Sequence, residues 1–499
     1  MSSALYFLGF CGFGWSYLSL ICLVPIFFAL DGEALKTKEV IGISWFFGFC
    51  THLGGYWWLV GFFERFAHVP LVVAILLYCS LCVAQGSLLG AWAFSLHALQ
   101  RHFSIPKALS AAPMMILFEW LWPALFPSYL SNSLYQHSTQ VQALDLVGPL
   151  GLSGLVTLFS AVVYRLLTWH LRRETFPSGL LALLMLLNAL NTGYGLWTIE
   201  RIEGVMAAAD RSLTVGLAQS NMGIYEKRKD PREGVVRHRR LSLELQGQGA
   251  DLIVWPESGF QYAIPDETHN VKRSVFGPEL QTPLLFGGLR LGPADDKREI
   301  YNTAFLADGE GQILGTYDKT YLLAFGEYLP LGDTFPWLYE LSPYTSKFSP
   351  GTHTKPLELG ELKLGVLICY EDILPRFVRR VMAHQPDILM NLTNDAWFGD
   401  THEPVIHLAL ATFRSVEHRR YMVRSTNTGI SAIIDPLGRI VAQTPTFEEA
   451  TLLTELKAIS LGPTLYGRWG DWIAWVSLAG MTLWIMRQRR RLSEPPAPS

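Results

Sequence analysis

Four short apolar runs in the second half of the chain end on residues that can do chemistry. Glu257 follows "DLIVWP", Lys319 follows "QILGTYD", Cys369 closes "LKLGVLI", and Asn394 and Asp395 follow "DILMNLT". A carboxylate, an ammonium and a thiol are the parts a cysteine acyl-transfer site requires: a base, a cation for the developing oxyanion, and a nucleophile. Cys369 is also isolated. The other five cysteines (Cys11, Cys22, Cys50, Cys79 and Cys82) all lie within the first 82 residues, so it has no disulfide partner in its own half. A buried cysteine can be no more than a small hydrophobe, so the neighbours must decide.

Such residues need a scaffold, and in sheets covered by helices reactive groups gather just beyond strand ends. Residues 212–460 contain β-branched-rich runs bounded by turn residues at 213–219, 251–255, 283–289, 301–308, 312–318, 362–369, 387–393, 428–435 and 438–444, which read as strands. Helical periodicity appears near 232–247 and 402–420. Several strands are apolar throughout. Sheets covered by helices on at least one face follow, an α/β domain.

The first half is different in kind. The 499-residue chain is 50% hydrophobic and only 17% charged, and residues 1–197 hold almost all the long uncharged runs. Spans of about 20 apolar residues are expected near 40–63, 70–98, 107–125, 145–169, 179–197 and 471–486. The run from Ala4 to Leu30, interrupted by "GFCGFG", fits one long tilted span or two short ones. The N-terminus lacks a cationic n-region and reads as membrane segment rather than cleaved signal. Basic loops at 31–39, 99–107 and 170–174, and the tail "RQRRR", alternate with a loop at 126–144 that has no Lys or Arg. By the positive-inside rule the soluble domain lies on the outer face and the C-terminus in the cytoplasm, giving eight spans with an inside N-terminus or seven with an outside one. The expected domains are N-terminal transmembrane helices at 1–197, an outer catalytic domain at 198–470, a transmembrane helix at 471–486 and a basic tail at 487–499. With one cysteine, the outer domain is no disulfide scaffold.

These residues resemble the carbon–nitrogen hydrolase, or nitrilase, superfamily, whose Glu-Lys-Cys triad is matched by Glu257 in "VWPES", Lys319 in "YDKTYLLAFGEYLP" and Cys369 in "LICYED". "FGEYLPL", "CYED", "NLTNDAWFGD", "STNTGISAIIDPLGR" and "TLYGRWGDW" look like its membrane-bound branch, the bacterial apolipoprotein N-acyltransferases. That branch joins the domain to N-terminal membrane helices and one C-terminal span. One departure is the region before "DP", which reads "EKRKDP" where members often carry Trp.

The resemblance implies an αββα sandwich and transfer of a fatty acyl chain from a membrane phospholipid, through a thioester on Cys369, to the α-amine of a diacylglyceryl-cysteine. It implies Glu257 as base, Lys319 as thiolate and oxyanion stabiliser, and Glu327 as the group holding the lysine or a tetrahedral intermediate. The Tyr370 N–H becomes a second oxyanion donor and Glu371 fixes the nucleophile loop. No cofactor is required. The expected partners are a phospholipid donor such as phosphatidylethanolamine, the apolipoprotein acceptor and the bilayer, with no nucleic acid, in a monomer of the bacterial inner membrane facing the periplasm.

His402, Glu403 and His407 in "THEPVIH" miss the metalloprotease spacing, since the second His comes five residues on rather than four; no metal is expected. The basic run 226–240 is either a solvated face or a headgroup attractor. Trp337, Tyr339, Trp397 and Phe398 are core residues or a mobile lid giving acyl chains a route to the thiol. A membrane-tethered amidase would share the triad but use water as acceptor. A receptor or transporter is disfavoured by the few ionisable residues in or near the spans, such as Glu119 and Asp145.

Overall fold

The apolar runs of the first half fold as helices, the only way a lone segment satisfies its own backbone in hydrocarbon. In the computed structural model, which describes residues 1–32, 35–67, 69–223, 226, 229–293, 299–341 and 345–493, the main ones are α1 (Ser2–Gly9), α2 (Val24–Ala29), α3 (Thr37–Gly55), α4 (Leu59–Ala67), α5 (Leu71–Phe103), α6 (Lys107–Leu121), α7 (Leu144–Arg172) and α8 (Ser178–Ala208). Among the described residues three helices, at 71–103, 144–172 and from 178, are long and apolar enough to cross a membrane. The run Ala4–Leu30 is two short helices. α1 ends at Gly9 and α2 starts at Val24, because three glycines in six residues make continued helix costly. The expected span at 40–63 stops at Gly55, and that at 107–125 is a 15-residue helix with Pro113 inside.

The chain divides into two units, one of residues 1–60, 71–199 and 468–499, the other of residues 61–70 and 200–467. In the first, Phe27, Trp92 and Tyr164 anchor an aromatic core, and Trp92 Nε1 donates to the Ala111 carbonyl at 3.1 Å. Two of its ionisable groups meet local donors: Glu119 Oε1 accepts from the Leu130 N–H at 2.8 Å, and Asp145 accepts from the Tyr194 hydroxyl at 2.9 Å.

The second unit is a sandwich of two sheets. Its strands are β1 (Ser212–Gln219), β2 (Leu252–Val254), β3 (Ala263–Pro265), β4 (Leu284–Leu291), β5 (Ile300–Ala307), β6 (Ile313–Asp318), β7 (Leu357–Leu359), β8 (Leu362–Ile368), β9 (Ile388–Thr393), β10 (Tyr421–Thr426), β11 (Ala432–Ile434), β12 (Ile440–Gln443) and β13 (Ala450–Lys457). One sheet runs β13-β1-β2-β4-β5-β6 with β3 beside β4; the other runs β12-β11-β10-β9-β8-β7. The period-2 alternation of strands places each apolar set. Val215, Leu217, Val254, Leu285 and Leu306 face the core between the sheets with Val366 and Ile368, while Ile253, Phe286 and Phe305 face outward under helix α9 (Pro231–Gly247). Over the second sheet lie α10 (Pro375–Met382) and α11 (Glu403–His418), which contribute Phe377, Val378, Leu408 and Ala411. The αββα order therefore follows from strands that are apolar on both faces. In the first unit α12 (Trp472–Ser493) begins one residue inside the span expected at 471–486 and continues into the basic tail.

Helix starts follow local chemistry. Asp230 Oδ1 caps α9 by accepting from the Glu233 N–H at 3.1 Å, and Pro231, Pro375 and Pro404 occupy first-turn positions where no intrahelical N–H is needed. Of the basic run 226–240, residues 227 and 228 lie outside the described residues. Arg237 pairs with Glu233, Arg240 pairs with Glu449, and Arg239 donates to the Val275 carbonyl.

Candidate active site

Four strand ends bring the site together. Glu257 lies three residues past β2, Lys319 directly follows β6, Cys369 directly follows β8, and Asn394 and Asp395 follow β9. The chain carrying Glu257 crosses close over β4: a Cβ on Gly287 would stand 2.7 Å from the Glu257 Cα, so that strand position must be glycine for the carboxylate to reach inward. Cys369 itself has φ +52° and opens a 3-10 turn through Ile373. A non-glycine residue in the left-handed region costs energy that surrounding contacts must offset, a usual mark of a nucleophile turn.

Lys319 sits between two carboxylates. Its Nζ is 2.8 Å from Glu327 Oε2 and 3.6 Å from Glu257 Oε1, with the lysine side chain 2% exposed. Glu327 is fixed in turn by the Leu323 N–H, which donates to its Oε2 at 2.8 Å. Burial works against the ammonium, but Glu327 and Glu257 outweigh it and raise its pKa, so Lys319 is a permanent cation. Burial raises Glu257 despite the lysine's opposing charge. Burial, with the charge of Glu257, also pushes the Cys369 thiol well up while Lys319 pulls the other way. The resting thiol is therefore protonated, beside a carboxylate whose proton affinity is itself increased. This arrangement suits proton transfer in step with attack better than a preformed thiolate.

Glu371 is fully buried and clamps two loops together. Its Oε2 accepts from the Ile368 N–H and the Tyr317 hydroxyl, each at 2.8 Å, and its Oε1 accepts from the Thr320 and Tyr321 N–H groups at 2.8 and 2.9 Å. The turn of Cys369 is thus tied to the loop after Lys319. Tyr370 is buried, its ring 6.0 Å from that of Tyr321. The four aromatics separate: Trp337 is 54% exposed, Tyr339 accepts from the Leu329 N–H at 3.2 Å, Trp397 is half-buried in a 3-10 turn, and Phe398 is buried.

A carbon–nitrogen hydrolase family model matches residues 214–464, and one for the N-terminal domain of apolipoprotein N-acyltransferase matches residues 2–162. The apolipoprotein N-acyltransferase of Geobacter metallireducens is 30% identical over 498 residues, spanning 96% of this chain and 92% of that protein. The chain belongs to the apolipoprotein N-acyltransferase family. Relatives of the same name from Bdellovibrio bacteriovorus (32% identical, 91% of this chain and 86% of that protein) and Azotobacter vinelandii (30%, 97% and 93%) agree. As an apolipoprotein N-acyltransferase family member with three long apolar helices, it is a membrane protein.

This N-acyltransferase-family site holds residues the sequence reading missed. Asn302 on β5 donates from Nδ2 to both Glu257 Oε1 (2.7 Å) and Glu327 Oε1 (2.9 Å), and its carbonyl accepts from the Lys319 N–H at 2.8 Å. Behind Cys369 lies a second buried cluster. Arg424 donates to Asp372 at 2.6 Å, Asn391 at 2.9 Å and Asp395 at 3.2 Å, while His407 lies 3.0 Å from Asp372 and 3.1 Å from Asp395. Asn391 also donates to the Cys369 carbonyl at 3.3 Å. A lone Asn in "YNTAFLAD" and a lone Arg in "YMVRST" were the available signals, polar residues inside strands otherwise built to be buried.

Asp395, Glu403 and His407 approach closely enough to suggest a cation site, but His407 and Asp395 are engaged with each other and with Asp372 and Arg424. Both ring nitrogens of His407 face carboxylates. Burial and Arg424 oppose its protonation, yet Asp372 and Asp395 outweigh them and push its pKa up to about 10, making it an imidazolium rather than a ligand. Burial and the Asp395 charge raise Glu403 well above the usual range, so it is held neutral.

Proposed function

We propose that this protein moves a fatty acyl chain from a membrane phospholipid, such as phosphatidylethanolamine, to the N-terminal amine of a diacylglyceryl-cysteine on an apolipoprotein. The observation that carries it is the placement of Lys319 between Glu257 and Glu327 with both Glu257 and Lys319 acting on the one thiol of the unit, in a chain of this family. The orientation that the basic loops favour puts the site outside the cytoplasmic membrane.

Glu257 takes the thiol proton as sulfur attacks the ester carbonyl. Lys319 and the Tyr370 N–H stabilise the tetrahedral oxyanion, a type of contribution worth roughly 3–4 kcal/mol. Collapse breaks the ester C–O bond, Glu257 returns the proton to the departing glycerol oxygen, and a lysophospholipid leaves. The acceptor's ammonium then gives Glu257 a proton and attacks the thioester as amine. The C–N bond forms, the C–S bond breaks, the departing sulfur takes the second nitrogen proton to restore the thiol, and Glu257 releases the first proton to solvent, leaving a neutral amide. Glu327 holds Lys319 through both steps, and Trp337 and Tyr339 line the approach for acyl chains.

Intact-mass analysis of protein incubated with phosphatidylethanolamine tests this. An acyl adduct removable by hydroxylamine and lacking in Cys369→Ala is expected; an unmodified chain under turnover conditions would sink the proposal.

A further inference from the structure

Residues 61–70 fall, in sequence, between helices of the first unit, yet they belong to the second. They meet it at the loop that begins beside the thiol. Arg65 donates from Nε to the Trp397 carbonyl at 3.2 Å and from Nη2 to the Phe398 carbonyl at 2.8 Å. One helical turn away, the Phe62 ring stacks on Phe398 with centroids 5.5 Å apart and planes 21° apart. Gly399 follows with φ +68°, and a Cβ there would stand 2.9 Å from the guanidinium. Two consecutive carbonyls and a glycine in the left-handed region therefore meet the same arginine fork, while Phe62 of the same helix holds the Phe398 ring. A guanidinium keeps its charge at any working pH and offers donors in a fixed plane, which suits it to hold two carbonyls at once.

The other end of this loop is fixed differently. Asp395 is fully buried against Arg424 and His407, and its charge acts on the Cys369 thiol. The Phe398 N–H returns to the Asp395 carbonyl at 3.0 Å, so the segment from Asp395 to Phe398 is one tight turn held at both ends. Trp397 and Phe398 are thus joined through this turn to a residue whose charge acts on the thiol.

We propose that Arg65 is a positioning residue that clamps the 394–400 loop, and that this clamp sets how the acyl-enzyme divides between amine and water. The idea rests on the thioester reading above. A thioester is open to hydrolysis, in which water oxygen bonds to the acyl carbon, the C–S bond breaks, one water proton restores the thiol and a free fatty acid departs. An enzyme that transfers must exclude water from the intermediate. A loop pinned by charge-assisted hydrogen bonds at its tip and by a buried ion pair at its base is a suitable wall for that purpose.

The test uses the full-length protein in detergent with phosphatidylethanolamine as donor and a diacylglyceryl-cysteine peptide as acceptor. It compares parent, Arg65→Ala, Arg65→Lys and Gly399→Ala. Arg65→Ala should still form acyl-enzyme, while the ratio of amide to free fatty acid falls about tenfold, the effect expected from losing charge-assisted bonds of this size. Arg65→Lys should recover only part of the ratio, because a point charge cannot hold both carbonyls in one plane. Gly399→Ala should shift the ratio in the same direction with Arg65 present, which guards against a folding artefact in the arginine variants. An unchanged ratio in Arg65→Ala and Gly399→Ala, with parent-like acylation, overturns the clamp. A parent protein that never acquires an acyl adduct overturns the thioester reading instead.

Discussion

Two buried charged clusters meet at Cys369 and are built to opposite ends. In one, Lys319 serves two carboxylates, Glu257 and Glu327, and the same Asn302 amide bridges them. In the other, Arg424 and the His407 imidazolium face Asp372 and Asp395, with Glu403 neutral beside them. The second cluster is balanced, two cations for two anions. The first has a carboxylate in excess, and next to it lies the only titratable sulfur of the unit. An unbalanced cluster has a proton to move, whereas a balanced one has only positions to hold. Desolvated ion pairs are costly to assemble and more costly to break one-sidedly, so the two clusters should fail differently when cut.

The largest effect should come from Glu257→Gln. The amide can still accept from Asn302, so the packing survives, but the proposed base is gone. Acyl-enzyme formation should fall by about 100- to 10,000-fold with little change in melting temperature, measured by quantitative intact mass and thermal unfolding of the same preparation. Parent-like acylation would remove Glu257 from the chemical step. Arg424→Met should do the reverse. It leaves two fully buried carboxylates and Asn391 without their cation, and breaking such a pair costs about 3–5 kcal/mol, enough to lower the melting temperature by roughly 10 °C. A variant that keeps parent stability and loses acylation would make Arg424 a participant in the reaction and collapse the contrast.

A smaller effect is a slope with pH. His407 is raised from 6.5 to about 10 by its two aspartates, so the folded state binds its proton more tightly than the unfolded chain does. Its contribution to stability is complete below pH 6.5 and is lost as pH rises through about 10. The melting temperature should decline across that window, and His407→Gln should flatten the decline. An equally steep decline in the variant would place its origin elsewhere.

Much of this arrangement is legible in the sequence. Glu257, Lys319 and Cys369 stood out because each closes a run whose β-branched, apolar composition allows little else but strand. β10 was lost, by contrast, because "HEPVIHLALATFRSVEHRR" keeps its helical period to Arg420, directly before the strand begins. Nothing in a single sequence reveals that Asp372 and Asp395 come to meet the strand's Arg424. Asn302 was hidden for the same reason: its meaning lies in two carboxylates that arrive from residues 257 and 327. The Arg65 contact was the least accessible, joining residues more than 300 positions apart.

The smallest predicted effect bears on which cluster Glu371 resembles. It is a lone buried carboxyl, pushed up to about 7 by burial and restrained by the backbone N–H groups of Ile368 and Tyr321 and by the Tyr317 hydroxyl. If it braces the Cys369 turn as the balanced cluster does, Tyr317→Phe should cost one hydrogen bond, about 1 kcal/mol or a few degrees of melting temperature. The three backbone donors remain, so acyl-enzyme formation should stay within about threefold of parent at pH 7, a limit set by the same bond energy. Near that pH the carboxyl is only partly ionised, and a lost donor should make the stability penalty grow as pH rises past 7, since the charged form depends on donors more than the neutral form does. A rate loss of a hundredfold or more with parent stability would instead put Tyr317 and Glu371 among the groups that move charge, on the side of Lys319 rather than Arg424.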